Sequence, residues 1–348
     1  MTPDFQSFPL MLNLAIFTAA AVIVWIAGTK IAGYADELAK RTGLGEALMG
    51  LLLLAGVTSL PEVATSFVAA QAGDAPLAVN NLLGSIVLQI AILAFADAVF
   101  GRHALTSVVP DPVVMLQGAL NVCLLSFVAI AVLSGDTALF GAGAWTWSLF
   151  ASAIYSLKKL TEAKGRRPWI ANEKTETKTE KTETSYGDES MPRLITKIVA
   201  AALAILVAGA IVSQAGGAIA EQSGLGSSFM GVAFVAIATS LPEASTVFAA
   251  ARRGLYTMAI SDILGTNILN VALIFGVDLI AAGDPVLTVV GNFAAIGALL
   301  GVATTGLFLM GLAERRDVAI LRMGIDSIFV IVTYIGGLIL LYSMRGTP

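Results

Sequence analysis

Long apolar stretches recur along the chain and restrict the folds that it can adopt. A helix needs about 20 apolar residues to cross a hydrocarbon core of about 30 Å. Stretches of this length lie near residues 10–33, 46–71, 77–98, 108–133, 138–157, 194–214, 228–251, 256–280, 286–312 and 324–344. The sequence therefore predicts an all-α membrane protein with ten transmembrane helices.

Composition excludes several classes of protein. Apolar residues make up 57% of the 348 residues and charged residues only 13%, whereas a soluble domain has about 25% charged residues. The net charge of −4 provides no basic surface for nucleic acid. A single cysteine, Cys123, and a single histidine, His103, leave no disulfide framework, no metal site rich in Cys or His, and no catalytic Ser–His or Cys–His pair. We therefore expect no enzyme activity, no cofactor, no nucleic-acid partner and no obligate protein partner.

The cationic residues predict the orientation of the helices. If the N-terminus lies outside, the inner loops hold 19 of the 20 Lys and Arg residues, and only Arg345 falls outside. Cytoplasmic loops of membrane proteins carry an excess of Lys and Arg. We therefore expect both termini on the outer side of the lipid bilayer.

Residues 161–192 differ sharply from the rest of the chain. They include the run KTETKTEKTET and 13 charged residues, and such a polar, low-complexity segment cannot bury a core. We interpret the segment as a cytoplasmic linker that joins a first five-helix half, residues 1–160, to a second five-helix half, residues 193–348.

An internal repeat relates these two halves. Residues 55–97 align without a gap with residues 236–278, at a constant offset of 181, and 17 of the 43 aligned positions are identical. The copies share TSLPE, a Leu-Gly pair and a final Asp. Because an odd number of predicted helices separates equivalent positions, the copies cross the membrane in opposite senses. Two inverted five-helix repeats are typical of secondary transporters, whose substrate site lies near the midplane.

Each copy carries one glutamate among apolar residues near the middle of a predicted helix, Glu62 in the first and Glu243 in the second. A lone carboxylate at that depth costs about 2.5–3.5 kcal/mol on insertion scales. A protonated glutamate that is hydrogen-bonded inside the bundle is the structural alternative. The duplication favours a bound cation instead, and two carboxylates neutralise one divalent ion or two monovalent ions.

The residues around each glutamate are also suited to cation binding. Pro61 and Pro242 have no N–H, so a carbonyl about one turn upstream loses its helical partner and can coordinate an ion. Hydroxyl groups lie at the same level, on Thr58, Ser59, Thr239 and Ser240. Back-bonding to a carbonyl one turn earlier is the alternative role for these hydroxyls, and the doubled TSLPE favours ion binding.

The next helix of each copy has one polar face. Residues at i and i+4 share a helix face, and this spacing relates two sets of three residues, namely Asn81, Ser85 and Gln89, and Asp262, Thr266 and Asn270. Hydrogen bonding between helices is the alternative to ion ligation. We favour ligation for Ser85 and Thr266, leave both roles open for Asn81, and interpret Asp262 as either a helix cap or part of an access path.

The repeat motifs resemble those of a known family. GVTSLPEVATSFVAA with NNLLGSIVLQ, and IATSLPEASTVFAA with SDILGTNILN, resemble the two α-repeats of the cation/calcium exchanger superfamily, in its sodium/calcium exchanger branch. The resemblance implies exchange of Ca²⁺ for Na⁺ by alternating access, during which the first and sixth helices slide across the bundle. The linker is too short for the calcium-sensing domains of animal exchangers, so we expect a protein of a prokaryotic plasma (inner) membrane.

The resemblance also implies roles for individual residues. Glu62 and Glu243 match the paired calcium-binding glutamates of the family. Backbone carbonyl ligands are implied for Ca²⁺ at Thr58 and Thr239 and for Na⁺ at Ala55 and Ala236. Hydroxyl ligands for Na⁺ are implied at Ser59, Ser85, Ser240 and Thr266.

Several positions depart from the family pattern. The usual GSNxxN or GSNxxD motif reads GSIVLQ and GTNILN here, so the central polar pair is Gln89 and Asn270 and contains no acid. Ile86 and Asp262 each stand where Asn is usual. These departures leave the coupling ion open. A Ca²⁺/H⁺ antiporter or another divalent-cation exchanger is the alternative function, and a passive cation channel is less favoured.

Overall fold

The computed structural model describes residues 5–100, 105–109, 111–163, 190–222, 229, 231–314, 319–320 and 323–344, and nearly all of them are helical. In chain order the helices are α1 (Leu10–Thr42), α2 (Glu46–Thr58), α3 (Leu60–Gln71), α4 (Ala75–Phe100), α5 (Leu105–Val108), α6 (Val113–Ser134), α7 (Ala144–Glu162), α8 (Met191–Glu221), α9 (Gly231–Thr239), α10 (Leu241–Arg252), α11 (Tyr256–Ile280), α12 (Val286–Val289), α13 (Gly291–Glu314) and α14 (Ile325–Ser343). A 3₁₀ turn covers Phe5–Ser7. Two short hairpins pair β1 (Ala138–Leu139) with β2 (Ala142–Gly143) and β3 (Ala319–Ile320) with β4 (Met323–Gly324).

The helices are those of a multi-pass membrane protein. Seven described helices are long and apolar enough to cross a membrane, namely α1, α4, α6, α8, α11, α13 and α14. Two further candidate spans are the bent pairs α2–α3 and α9–α10, so the described residues hold seven to nine candidates. The span predicted near residues 138–157 corresponds to α7, which has 19 residues but is not among these candidates.

Apolar side chains cover the outside of the bundle. Met11 on α1 and Ile339 on α14 are 78% and 66% exposed, as expected of side chains that face lipid rather than water. The central helices α4 and α11 are instead largely buried. Their buried apolar residues pack with those of the other half, for example Leu82 of α4 with Ile268 of α11 in one core. The two halves therefore share their core.

The first helix of each repeat copy packs closely on the second helix of the other copy. A Cβ atom on Gly50 of α2 would lie 2.5 Å from the carbonyl oxygen of Met258 in α11, and one on Gly231 of α9 would lie 2.8 Å from that of Leu77 in α4. The two contacts are related by the offset of 181 residues between the repeat copies. Glycine is needed at both positions, because any side chain would displace the neighbouring backbone.

Two equivalent contacts join the ends of α4 and α11 to the short hairpins of the opposite half. Asp97, at the end of α4, accepts a hydrogen bond from the N–H of Gly324 at 2.8 Å. Asp278, at the end of α11, accepts hydrogen bonds at 2.6 Å from the N–H of Gly143 and from the hydroxyl of Thr146. Gly143 and Gly324 are again 181 residues apart, so the similarity between the halves extends beyond the segment that the sequence alignment covers. The sequence analysis assigned no role to Asp97 or Asp278.

The linker predicted over residues 161–192 falls mostly on residues 164–189, which lie outside the described residues. On either side, α7 ends at Glu162 and α8 begins at Met191. The division of the chain at residues 160 and 193 therefore stays a prediction.

Candidate cation-binding site

Each TSLPE motif breaks a helix inside the bundle. The chain bends by 43° between α2 and α3, at Ser59, and by 54° between α9 and α10, at Ser240. Pro61 and Pro242 occupy the first turn after each break. Because proline has no N–H, the carbonyl four residues upstream receives no helical hydrogen bond from it. The release of a carbonyl for ion binding stays a prediction, and the carbonyls of Ala55 and Ala236 accept hydrogen bonds from the N–H groups of Ser59 and Ser240.

The two glutamates lie in the turns that follow these breaks. Glu62 and Glu243 are 0% exposed, and they interact electrostatically with each other. Their four carboxylate oxygens accept no hydrogen bond of ordinary geometry from the described residues. No Lys, Arg or His is among the described buried side chains. Two buried carboxylates without basic partners or donors need a compensating positive charge.

Hydroxyl groups from the opposite repeat copy lie beside each glutamate. Thr239, at the end of α9, and Ser240, at the break, lie next to the Glu62 carboxylate, and Thr58 of α2 lies next to the Glu243 carboxylate. All three hydroxyl-bearing residues are almost completely buried. The breaks of the two copies therefore face each other, and each carboxylate lies beside at least one hydroxyl group of the opposite half.

The polar face of α4 points at the break between α9 and α10. The hydroxyls of Ser85 and Thr239 are 3.3 Å apart, and Gln89 donates from Nε2 to the Ser240 hydroxyl at 3.4 Å. The Thr239 hydroxyl also lies 3.4 Å from Oδ1 of Asn81. The structure thus brings the predicted residues of α4 to the second copy of TSLPE, where hydrogen bonding and ion ligation are compatible roles.

The polar face of α11 is equally buried. Asp262, Thr266 and Asn270 are each 0% exposed. The hydroxyl of Thr266 and both amide atoms of Asn270 have no hydrogen-bond partner among the described residues. Buried polar atoms without partners are unusual, and oxygen atoms of this kind are suited to binding a cation.

Three of the predicted hydroxyls bond back to their own helices. Thr58 donates to the Leu54 carbonyl at 3.0 Å, and Ser59 donates to the Ala55 carbonyl at 2.6 Å. Thr239 lies 3.3 Å from the Ala236 carbonyl. The back-bonding alternative is therefore present in the structure. A hydroxyl that donates its proton keeps its oxygen lone pairs, so these residues remain able to face an ion.

Sequence reasoning missed a polar contact between α6 and α11. Gln117 and Asn121 of α6 are 0% exposed. Asn121 donates to the carbonyl of Leu264 at 2.9 Å, and Ser261 donates to Oε1 of Gln117 at 2.9 Å. The four-residue spacing of Gln117 and Asn121 in an apolar helix is the same signal that identified the face of α4, and it could have found them.

The two residues considered for catalysis are Cys123 and His103. Cys123 is exposed on α6. His103 lies outside the described residues. The described residues also contain no group of three or more His, Cys, Asp or Glu side chains that converge on one point. The glutamate pair lies beside neutral hydroxyl oxygens and near a third buried acid, Asp262.

Comparisons with known proteins identify a family and several relatives. The chain matches the family described as "Sodium/calcium exchanger protein" over residues 12–157 and 194–343. It is 26% identical over 345 residues to the putative antiporter CaxA of Alkalimonas amylolytica, covering 96% of this chain and 99% of that protein. It is 25% identical over 274 residues to the sodium/calcium exchanger MaX1 of Methanosarcina acetivorans, covering 70% of this chain and 75% of MaX1.

A solved structure shows a similar fold. The sodium-calcium exchanger NCX_Mj, soaked with Na⁺ and Sr²⁺, superposes with a TM-score of 0.70 at 17% sequence identity, covering 95% of this chain and 99% of that one. The family is one of membrane exchangers and not of catalytic enzymes. Since the family match covers most of both halves, the chain belongs to the sodium/calcium exchanger protein family.

Proposed function

We propose that the chain is a secondary active antiporter that exchanges Ca²⁺ for Na⁺ at a site near the membrane midplane. The observation that carries this proposal is the pair Glu62 and Glu243, which are fully buried without a basic partner among the described residues. Ca²⁺ takes six to eight oxygen ligands with carboxylates among them. Two glutamates and the carbonyls of Thr58 and Thr239 supply ligands of this kind.

Sodium ions would use the neighbouring neutral oxygens. We propose the hydroxyls of Ser59, Ser85, Ser240 and Thr266 and the carbonyls of Ala55 and Ala236 as Na⁺ ligands. Gln89 and Asn270 complete the polar lining between the two glutamates. Because Ca²⁺ and Na⁺ would compete for the same two carboxylates, one site accepts either ion in turn, and this competition couples the two fluxes.

We further propose that ten helices form two inverted halves that alternate access to this site. Contacts that recur at the offset of 181 support this arrangement, and α7 would be the tenth span. Alternating access would come from sliding of α1 and α8 across the bundle. The bias of Lys and Arg supports external termini and a cytoplasmic linker in a prokaryotic plasma membrane.

Flux measurements test the coupling ion. Purified protein in proteoliposomes should take up ⁴⁵Ca²⁺ when an outward Na⁺ gradient is imposed at constant pH. Uptake under a proton gradient without Na⁺ would instead support the Ca²⁺/H⁺ antiporter, for which the two glutamates would carry protons. Uptake that needs no counter-ion gradient would support a passive channel. Either result would refute the sodium-coupled function.

A further inference from the structure

Besides Glu62 and Glu243, the buried carboxylate of Asp262 lies near the proposed site, and the proposed exchange gives it no role. It lies on α11 and is 0% exposed. Its Oδ2 atom accepts a hydrogen bond from the Thr246 hydroxyl, whereas its Oδ1 atom has no hydrogen-bond partner among the described residues. The described buried side chains include no basic residue that could neutralise it. Asp262 thus resembles the two glutamates and differs from Asp97 and Asp278, which accept hydrogen bonds from backbone N–H groups.

Asp262 is next to the glutamate pair but is separate from it. It interacts electrostatically with both Glu62 and Glu243, and the Thr58 side chain lies beside both Asp262 and Glu243. The described acidic side chains do not converge as a group of three. A cation bound at Asp262 would therefore occupy its own position, and it would share Thr58 with the ion held by the glutamates.

The equivalent position in the first repeat shows what a structural role requires. Asn81 lies 181 residues before Asp262 and is also fully buried. Its Nδ2 atom donates to the Ser66 hydroxyl at 3.2 Å, and its Oδ1 atom lies 3.4 Å from the Thr239 hydroxyl. A neutral amide therefore satisfies this position completely. The contact of Asp262 with Thr246 needs only one acceptor oxygen. A neutral side chain could make that contact, so it explains neither the negative charge of Asp262 nor its unpartnered Oδ1 atom.

We propose that Asp262 binds a monovalent cation beside the Glu62–Glu243 site, with Oδ1 of Asp262 and the hydroxyl oxygen of Thr58 as ligands. The inference rests on the proposed exchange function. Two glutamates neutralise one Ca²⁺ ion, and one monovalent cation would balance the charge of the third carboxylate. Because both ions would contact Thr58, occupation of one position changes the affinity of the other.

Equilibrium binding to the full-length protein in detergent tests this proposal. The numbers of ²²Na⁺ and ⁴⁵Ca²⁺ ions bound per chain at saturation are measured separately, with choline replacing other cations. Asp262→Asn keeps the shape and one acceptor oxygen for Thr246 and reproduces the residue found at position 81. Asp284→Asn is the matched control, because Asp284 is exposed in the loop before α12.

We expect Asp262→Asn to bind one Na⁺ ion fewer per chain than the wild type while it still binds Ca²⁺, and we expect Asp284→Asn to match the wild type. An unchanged Na⁺ count in Asp262→Asn would overturn the proposal, and so would a wild type that binds no Na⁺. Loss of Ca²⁺ binding in Asp262→Asn would also overturn it, because Asp262 would then be a calcium ligand. Asp262→Ser gives the same readout if the Asn variant is not monodisperse.

The ion counts also separate this proposal from the exchange function. A wild-type protein that binds both ions but drives no Na⁺-dependent Ca²⁺ flux fails the proposed exchange, and its Na⁺ count still decides the role of Asp262. Suppose instead that the wild type exchanges Ca²⁺ for Na⁺ normally and that Asp262→Asn binds as many Na⁺ ions per chain as the wild type. This result refutes only the proposal for Asp262.

Discussion

At the scale of single residues, we expect the proposed exchange to depend most on the charges of Glu62 and Glu243. We predict that Glu62→Gln and Glu243→Gln each lower Ca²⁺ exchange at least about a hundredfold, because one unit charge about 4 Å from an ion contributes about 4 kcal/mol at an effective dielectric constant of about 20. Na⁺-driven ⁴⁵Ca²⁺ uptake into proteoliposomes measures the loss. Glu314→Gln, at an exposed position at the end of α13, is the control. Full exchange in both glutamine variants would remove the glutamates from the site.

Gln89 and Asn270 should matter less than the glutamates. Both are neutral and fully buried, so replacement by Ala removes oxygen atoms but no charge. We predict that Gln89→Ala and Asn270→Ala change the rate or the ion preference of exchange without abolishing it. Uptake assays with Ca²⁺ in competition with Sr²⁺ measure both effects. A loss as complete as that of the glutamate variants would mean that these amides are essential ligands.

The sequence identified the residues of the site better than their contacts. The doubled TSLPE predicted that Glu62 and Glu243 act as a pair, and the structure places both in buried turns that face each other. Spacing of four residues predicted that Ser85 and Gln89 share a face, but it could not say that this face meets Thr239 and Ser240. Periodicity shows which residues share one face of one helix, whereas packing of the whole bundle determines which helix that face contacts. The ion-ligand roles of these residues stay predictions.

At the scale of helices, a close approach at Gly209 fixes α8 against the first break. A Cβ atom at Gly209 would overlap Cγ of Pro61, and overpacking of this kind typically costs about 1–3 kcal/mol. We predict that Gly209→Ala lowers the thermal unfolding midpoint and slows exchange, because the rigid ring of Pro61 cannot move without shifting the break. Thermal unfolding of the purified protein and ⁴⁵Ca²⁺ uptake measure the two effects.

A second glycine on the same helix provides the control for Gly209. Apart from its own stretch of α8, no described residue lies within 4 Å of a Cβ atom at Gly217, so Gly217→Ala should be neutral or stabilising by up to about 1 kcal/mol through helix propensity. Equal behaviour of the two variants would show that the contact with Pro61 does not constrain α8.

The ends of α4 and α11 carry a second test at this scale. Asp97 and Asp278 accept hydrogen bonds from backbone N–H groups of the opposite half. We predict that Asp97→Asn and Asp278→Asn each destabilise the protein by about 1–3 kcal/mol, because the amide leaves a buried donor unsatisfied. Thermal unfolding measures the change, and Ca²⁺ binding at saturation should persist. Wild-type stability in both variants would refute a structural role for these acids.

Sequence patterns predicted the helices more reliably than their interruptions. The apolar stretch near 46–71 predicted one span, and Pro61 indicated its break, but nothing in the sequence indicated the π-helical segments at Met49–Leu54 and Gly231–Val235. Gly50 and Gly231 lie in these segments and pack closely on helices of the other half, and only the folded bundle defines that packing. The span near 138–157 is a helix, but its apolarity is lower than that of the other candidates.

At the scale of the whole molecule, the halves are joined by contacts inside the bundle as well as by the linker. We predict that deletion of residues 172–186 leaves Ca²⁺ exchange nearly unchanged, because shortening a polar loop changes its closure entropy by less than about 1 kcal/mol. Uptake by the deletion variant, at matched levels of protein in the membrane, measures this. Lost transport by a normally inserted protein would show that the segment does more than connect the halves.

The reciprocal contacts of Asp97 and Asp278 have a consequence for how such a chain can arise and change. Consider a dimer of one five-helix chain whose two copies are inserted in opposite orientations. A twofold rotation would relate the copies, so the same acid in each subunit would meet the same glycine in its partner, and the two contacts would be identical. In the present chain they are two contacts that use four separate positions. Each half therefore supplies the acid that binds the hairpin of the other half, so the two acids can be lost independently, and loss of either one breaks only its own contact between the halves.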